Sequence, residues 1–245
     1  MKNVLEQIKE KAKALKKTIV LCEGEDPRVV KAAADATKEG IAKIVLLGNE
    51  EEIKKANPDA DLTGVTIVNP LTSDKLAAYN ARLCELRASK GMTPDQAEKL
   101  LKDGTYFGAM MLKEGDVDGL VSGACHSTAN TLRPGLQIIK TAPGVSSVSS
   151  FNLMICPPQG NQYCPDGLVV FADCGLNPTY TSEGLADCAI ATANSAKAIA
   201  GIDPKVAMLS FSTKGSAKHD NVTLVAEAAK IAKEKGGTNN GMFPG

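Results

Sequence analysis

The 245-residue sequence has no tryptophan, and aromatic residues make up only 4% of it. That scarcity excludes the stacking platforms that hold single-stranded nucleic acid. Excess charge is missing too: 28 Lys and Arg balance 28 Asp and Glu. No basic stripe recommends a nucleic acid, and steering by the whole surface is weak, so any anion must be recognised by local groups. No apolar run is long enough to span a bilayer. The N-terminal MKNVLEQIKEKAKALKK alternates lysine with glutamate and lacks the apolar core of a secretory signal, so it reads as a first surface helix. Seven cysteines form an odd set without C-x-x-C spacing. They supply neither a disulfide frame nor a zinc pattern, and they point to reduced thiols in a cytoplasm, most of them packing atoms.

What is present is a rhythm of apolar runs and helical stretches. Strands are expected at 18–24, 42–49, 64–70 and 117–123. Between them lie helices over 26–40, opened by Asp26 and Pro27, and over 51–58. Ser73 reads as the cap of a helix over 74–91, Thr93 as the cap of 94–104, and 105–115 continues as helix. A further helix is expected over 134–142. This alternation implies a mainly parallel sheet covered by helices. After Pro143–Gly144 the rhythm changes: two successive strands, 145–158 and 166–175, read as an antiparallel pair. They are followed by a helix over 181–201, a strand over 204–212 and a helix over 217–237. A domain boundary is placed near residue 143, separating 1–143 from 144–245.

Ligands of open α/β sheets sit beyond the carboxyl ends of the strands. SGACHSTANTLR, residues 122–133, occupies that position as a turn between strand and helix. Small residues admit an anion to the backbone, Ser127, Thr128 and Thr131 add hydroxyls, and Arg133 adds a fork suited to phosphate oxygens. The same composition also suits simple helix capping, and the residues alone leave both readings open. His126 reads as a hydrogen-bonding or solvated loop residue. MLSFSTKGSAKH, residues 208–219, is a second strand-end segment, with Ser212, Thr213 and Lys214 before Gly215. It reverses the lysine–glycine order of a P-loop, and a helix cap with two surface lysines is its favoured reading. Asp173 and Asn177 in FADCGLNP read as turn formers, and Arg87 and Lys90 as cations complementing a helix end.

Four stretches, ELRASKG (85–91), YFGAMMLKEGDVDGLVSGACHSTANTLRPGLQIIKT (106–141), DGLVVFADCGLNP (166–178) and VAMLSFSTKGSAK (206–218), resemble in order and spacing the phosphate acetyltransferase (phosphotransacetylase) family. The resemblance extends over residues 1 to about 234. It implies a two-domain α/β fold like that of isocitrate and isopropylmalate dehydrogenases, with mainly parallel sheets flanked by helices, an active site in the cleft between domains, and a cytoplasmic homodimer. It implies reversible acetyl transfer between coenzyme A and inorganic phosphate in a ternary complex, with acetyl-CoA and acetyl phosphate as substrates. No metal, bound cofactor, nucleic acid or membrane takes part. Arg87 and Arg133 match family arginines linked to CoA and phosphate, Ser127, Thr128 and Thr131 match the cleft loop, and Ser212, Thr213 and Lys214 match the loop facing it. The family continues beyond Lys235 into DGELQ-like and DLSRG-like segments that supply a catalytic serine, arginine and aspartate. GGTNNGMFPG matches neither, so the chain reads as shortened, its second domain as incomplete, and no catalytic residue is assigned within it. Phosphate butyryltransferase, the sister activity, and a non-catalytic remnant that binds CoA or phosphate are the alternatives.

Overall fold

The computed structural model describes residues 4–145, 147–157, 167–213 and 215–235. They fall into two compact units, Met1–Lys140 and Thr141–Gly245.

In the first unit β1 (Thr18–Leu21), β2 (Lys43–Leu47), β3 (Thr66–Val68) and β4 (Gly119–Val121) form a parallel sheet in the order β3-β2-β1-β4. Successive side chains of a strand point to opposite faces. Val20, Cys22, Val45 and Leu47 therefore share one core with Leu83, Leu101, Phe107 and Met110. These last come from α4 (Leu76–Leu86), α5 (Pro94–Leu101) and α6 (Gly104–Glu114). Leu21, Ile44 and Leu46 face the opposite core, with Val30 and Ala33 of α2 (Pro27–Lys38) and Ile53 of α3 (Glu50–Ala56). Burial on both faces is why β1 and β2 read as unbroken apolar runs. α1 (Val4–Leu15) buries no residue, as expected of a surface helix.

The helix starts follow from their caps. Asp26 accepts from the N–H of Arg28 and Pro27 follows it. Thr93 and Gln96 form a reciprocal capping box. Asp103 begins α6 by accepting from the N–H groups of Thr105 and Tyr106.

Two expectations need correction. The helix expected over 74–91 starts at Leu76 and stops at Leu86, and the Ser73 hydroxyl accepts from the N–H of Lys75 in the preceding turn. Arg87, at φ −112, leaves the helical region, and Ala88–Lys90 makes a separate tight turn closed by Gly91 at φ +70. Residues 128–133, expected in the turn before a helix at 134, are already helical: α7 spans Thr128–Pro134. Pro134 has no N–H to continue the helical ladder, and the coil widens just after it into a π-turn over Gly135–Ile139.

In the second unit β5 (Phe151–Ile155) and β6 (Leu168–Ala172) pair antiparallel, with Phe151 opposite Ala172. α8 (Ser182–Ala200) is capped by Thr181. It packs on α9 (Asp220–Lys235) through a small core centred on Ala186, Ala228 and Ala232. The strand expected over 204–212 does not form among the described residues. A strand needs a ladder partner, and β6 is hydrogen-bonded only to β5. Met208 of this run packs against the α8–α9 core, while Leu209 at 80% and Phe211 at 71% exposure are left in the open.

Candidate functional site

From β1 the chain builds outward through β2 to β3 on one side, then crosses back to add β4 on the other side of β1. The carboxyl ends of β1 and β4 thus bound the crevice where such sheets hold ligands. Glu23 stands just past β1, and residues 122–126 stand just past β4. The Glu23 side chain is buried there, and its two oxygens are saturated. The N–H groups of Gly123 and Ala124 each donate to Oε2 at 2.8 Å, and that of Cys125 donates to Oε1 at 2.8 Å. His126 places Nδ1 2.7 Å from Oε1 and Nε2 3.3 Å from a carboxylate oxygen of Asp103. The backbone cradle expected to hold an external anion is therefore filled by the protein's own carboxylate.

Electrostatics follow from this geometry. Burial pushes the Glu23 carboxyl up, but the bonds from His126 and from the N–H groups of Cys125, Ala124 and Gly123 outweigh it and hold the pKa at about 2. The bond to Glu23 and the nearby Asp103 raise the pKa of His126 against its partial burial. The β1–α2 connection grips the turn a second time. Arg28 binds the Asp26 carboxylate and donates to the Ala124 carbonyl at 2.9 Å, and the Cys125 thiol donates to Asp26 at 3.3 Å. Burial together with the Asp26 bond pushes that thiol up to about 11, so it is a poor nucleophile despite its exposure. Of the six described cysteines Cys22 and Cys188 are buried, Cys84 is half-buried against the core and Cys156 is half-buried, in keeping with packing atoms; Cys125 and Cys174 are exposed, and Cys164 lies outside the described residues.

The hydroxyls of α7 act first as caps. Ser127 accepts from the N–H of Asn130 at 3.3 Å, and Thr131 donates its hydroxyl to the Ser127 carbonyl at 3.1 Å. Thr128 is exposed at the first helical position. Arg133 is exposed one residue before Pro134. Arg133 and Arg87 meet electrostatically at Tyr106 of α6. Burial pushes that phenol up, Arg133 opposes it, Asp103 adds to it and Arg87 opposes again. The Tyr106 hydroxyl donates to Gln137 at 3.1 Å. Arg87 is the C-cap of α4, and its Nε is buried with no partner among the described residues. Arg133 thus shares α7 with Thr128 and Thr131, under the Ser127 cap, while Arg87 ends α4.

In the second unit the hydroxyls of 210–216 bind one another. Ser216 lies 2.9 Å from the Ser212 hydroxyl and 3.1 Å from that of Thr213, and it donates to the Thr213 carbonyl. Lys214 lies outside the described residues. Asp173 forms the turn expected of it, accepting from the N–H groups of Gly175, Leu176 and Asn177 and from the Tyr180 hydroxyl. Burial pushes its carboxyl up, but Ser150, Tyr180 and Asn177 hold it well below the usual range. Sequence reasoning passed over Glu23, Asp103, Tyr106 and Gln137. The one available signal was an acidic residue directly after the apolar run of β1, which is where a parallel neighbour's strand-end turn arrives.

Among the described residues no three His, Cys, Asp or Glu side chains are grouped to hold a metal ion, and no helix is long and apolar enough to cross a membrane.

Over residues 3–239 the chain matches the family described as "Phosphate acetyl/butaryl transferase". The chain belongs to this family. Among its relatives, the phosphate acetyltransferase of Thermoanaerobacterium thermosaccharolyticum is 50% identical over 231 residues, 94% of this chain and 70% of that protein. That of Acetivibrio thermocellus is 51% identical over 231 residues, 94% of this chain and 69% of the relative. The crystal structure of a phosphotransacetylase from Streptococcus pyogenes superimposes with a TM-score of 0.88 at 40% identity, covering 99% of this chain and 71% of that one. Family membership agrees with a parallel sheet flanked by helices that carries an arginine pair.

Proposed function

We propose that the chain is a phosphate acetyltransferase that moves an acetyl group reversibly between coenzyme A and inorganic phosphate. The observation that carries this reading is that the chain is half identical, over 94% of its length, to enzymes of that name, and keeps Arg87 and Arg133 in its first unit. Acetyl phosphate and CoA are both polyanions. Guanidinium forks neutralise phosphoryl oxygens and fix their direction, and the unbonded Nε of Arg87 is a donor a ligand oxygen can claim. In the transfer the CoA thiol loses its proton, which ends on the departing phosphate, and the sulfur attacks the acetyl carbonyl carbon. The new C–S bond forms as the C–O bond to the phosphoryl group breaks, and phosphate leaves with the electron pair. This chain's contribution to the step is to hold two anions in line for it. Ser127, Thr128 and Thr131, and Ser212, Thr213 and Lys214 of the second unit, belong to the proposal as substrate-binding residues.

The relatives named above are acetyltransferases, which favours acetyl over butyryl transfer. An isocitrate/isopropylmalate dehydrogenase-like architecture with domains 1–143 and 144–245, a homodimeric assembly and a cytoplasmic location complete the proposal. The first of these is supported by the division into units at Lys140 and Thr141.

The test is phosphate- or arsenate-dependent release of CoA from acetyl-CoA, run beside butyryl-CoA. Faster release from acetyl-CoA is expected. Faster release from butyryl-CoA would make the chain a butyryltransferase, and CoA binding without turnover would make it a non-catalytic binding protein. Arg133→Ala should weaken binding of phosphate or CoA by at least about tenfold, the loss of one charge-assisted contact.

A further inference from the structure

We propose that Glu23 is a positioning residue for anion recognition: its buried carboxylate fills the backbone cradle between β1 and β4 and thereby sets both α7, with Arg133, and α6, with Tyr106. This rests on the acyl-transfer reading above and deepens it.

Four donors converge on two oxygens of one side chain that is 1% exposed. No external anion can reach those N–H groups while Glu23 is in place. The anion of the substrate is left to side chains, and the arginines are the side chains at hand. Two structural arms run from the same carboxylate. The first passes through Gly123, Ala124 and Cys125 directly into Ser127, the cap of α7, and so to Arg133. The second passes through His126 to Asp103, the cap of α6, and from there one turn along the helix to Tyr106. The Tyr106 hydroxyl donates to Gln137 in the turn that continues α7, so the two arms close on one another. The charged and titratable groups around this centre are Glu23, Asp26 and Arg28 from the β1–α2 connection, Cys125 and His126 from the turn itself, and Asp103 from the start of α6.

The neighbouring depression, about 490 Å³ at the ends of β1, β2 and β3, supports the same assignment. It presents Glu25, Glu52 and Asp103 against Lys102 and His126, a charge balance that repels a polyanion. With the cradle filled and the adjoining hollow acidic, the placement of Arg133 and Arg87 decides where the substrate phosphates go.

The experiment compares the full chain with Glu23→Gln and Glu23→Ala in the acyl-transfer assay, and titrates each with CoA by calorimetry. Glu23→Gln should raise KM for acetyl-CoA and for phosphate about tenfold while kcat stays within about threefold, the signature of misplaced binding groups. Glu23→Ala should show the same defect, and added sodium formate, a carboxylate small enough for the vacated cradle, should bring KM back to within about threefold of the original protein. Formate should leave the original protein unchanged. A purely structural role would lower the melting temperature without a formate-dependent KM. Unchanged KM in the folded variants, or a defect that formate does not relieve, overturns the proposal. Should neither variant fold, His126→Gln keeps the three backbone bonds and cuts the arm to Asp103; it should still raise KM for acetyl-CoA several-fold, and an unchanged KM overturns the proposal. An original chain that binds CoA without turnover overturns the functional reading alone, and the variants are then judged on Kd for CoA with the same expectations. An original chain that binds neither ligand overturns both.

Discussion

The turn at 122–126 and the turn at 210–216 have similar compositions, small and hydroxyl side chains after an apolar run, yet they are held by different kinds of bond. In the first, three backbone N–H groups and a histidine reach a carboxylate 100 to 103 residues earlier in the chain. In the second, Ser210, Ser212, Thr213 and Ser216 satisfy one another within a few residues. Local hydroxyl bonds form nearly as well in an unfolded chain, so they add little to stability and define position weakly. The distant carboxylate forms its bonds only when β1 and β4 are paired, so every one of them counts toward the folded state. Likeness of composition therefore conceals one rigid turn and one that is only locally ordered.

The contrast can be broken most decisively at Glu23. Glu23→Ala takes the acceptor from three part-buried N–H groups and from His126, and should cost the first unit about 3–5 kcal/mol. Urea unfolding followed by far-ultraviolet circular dichroism measures it, and a loss below about 1 kcal/mol would mean that the buried carboxylate is not the anchor.

Acid should have the next largest effect. The folded pKa of Glu23, about 2, lies below the usual 4.5. Its stabilisation is therefore fully present above about pH 4.5 and is lost as pH falls through that value toward 2, an effect of about 3 kcal/mol. His126 carries the opposite sign: its pKa is raised above 6.5, so its contribution is present below 6.5 and is lost as pH rises through the folded value. Melting temperatures across pH should fall steeply at the acid end, and Glu23→Gln should flatten that limb. An unchanged acid limb in the variant would assign it to other carboxylates.

The smallest effect is expected in the second turn. Ser216→Ala removes the hub of the hydroxyl cluster and should cost less than about 0.5 kcal/mol, because water replaces what is lost. Hydrogen exchange sharpens the same contrast, with slow exchange at Gly123, Ala124 and Cys125 and fast exchange at Ser212 and Ser216. Slow exchange in both turns would erase the distinction.

Much of the first unit was legible in the sequence because its signals are local. Asp26 with Pro27 and Thr93 with Gln96 mark helix starts by bonds that span two or three residues. The runs at 18–24 and 42–49 are apolar throughout because both faces of their strands are buried. The run at 204–212 looked the same and failed, because whether an apolar stretch is a strand depends on a neighbour the stretch does not contain. Arg87 and Arg133 were picked out by family resemblance, and the structure adds that Arg87 caps the end of α4 while Arg133 lies exposed on α7. Glu23 went unremarked at the end of an apolar run. Nothing within ten residues of it supplies the four donors that make it a buried anion.

The order of side chains along the chain was enough to specify the alternating strands and helices of the first unit, the caps Asp26 and Thr93, membership of the family, and the stock of arginines and hydroxyls available to an anion. Tertiary structure alone decided which anion the strand-end amides would hold. That choice joins groups a hundred residues apart, and only the parallel pairing of Ile19–Leu21 with Gly119–Val121 brings them within hydrogen-bonding distance.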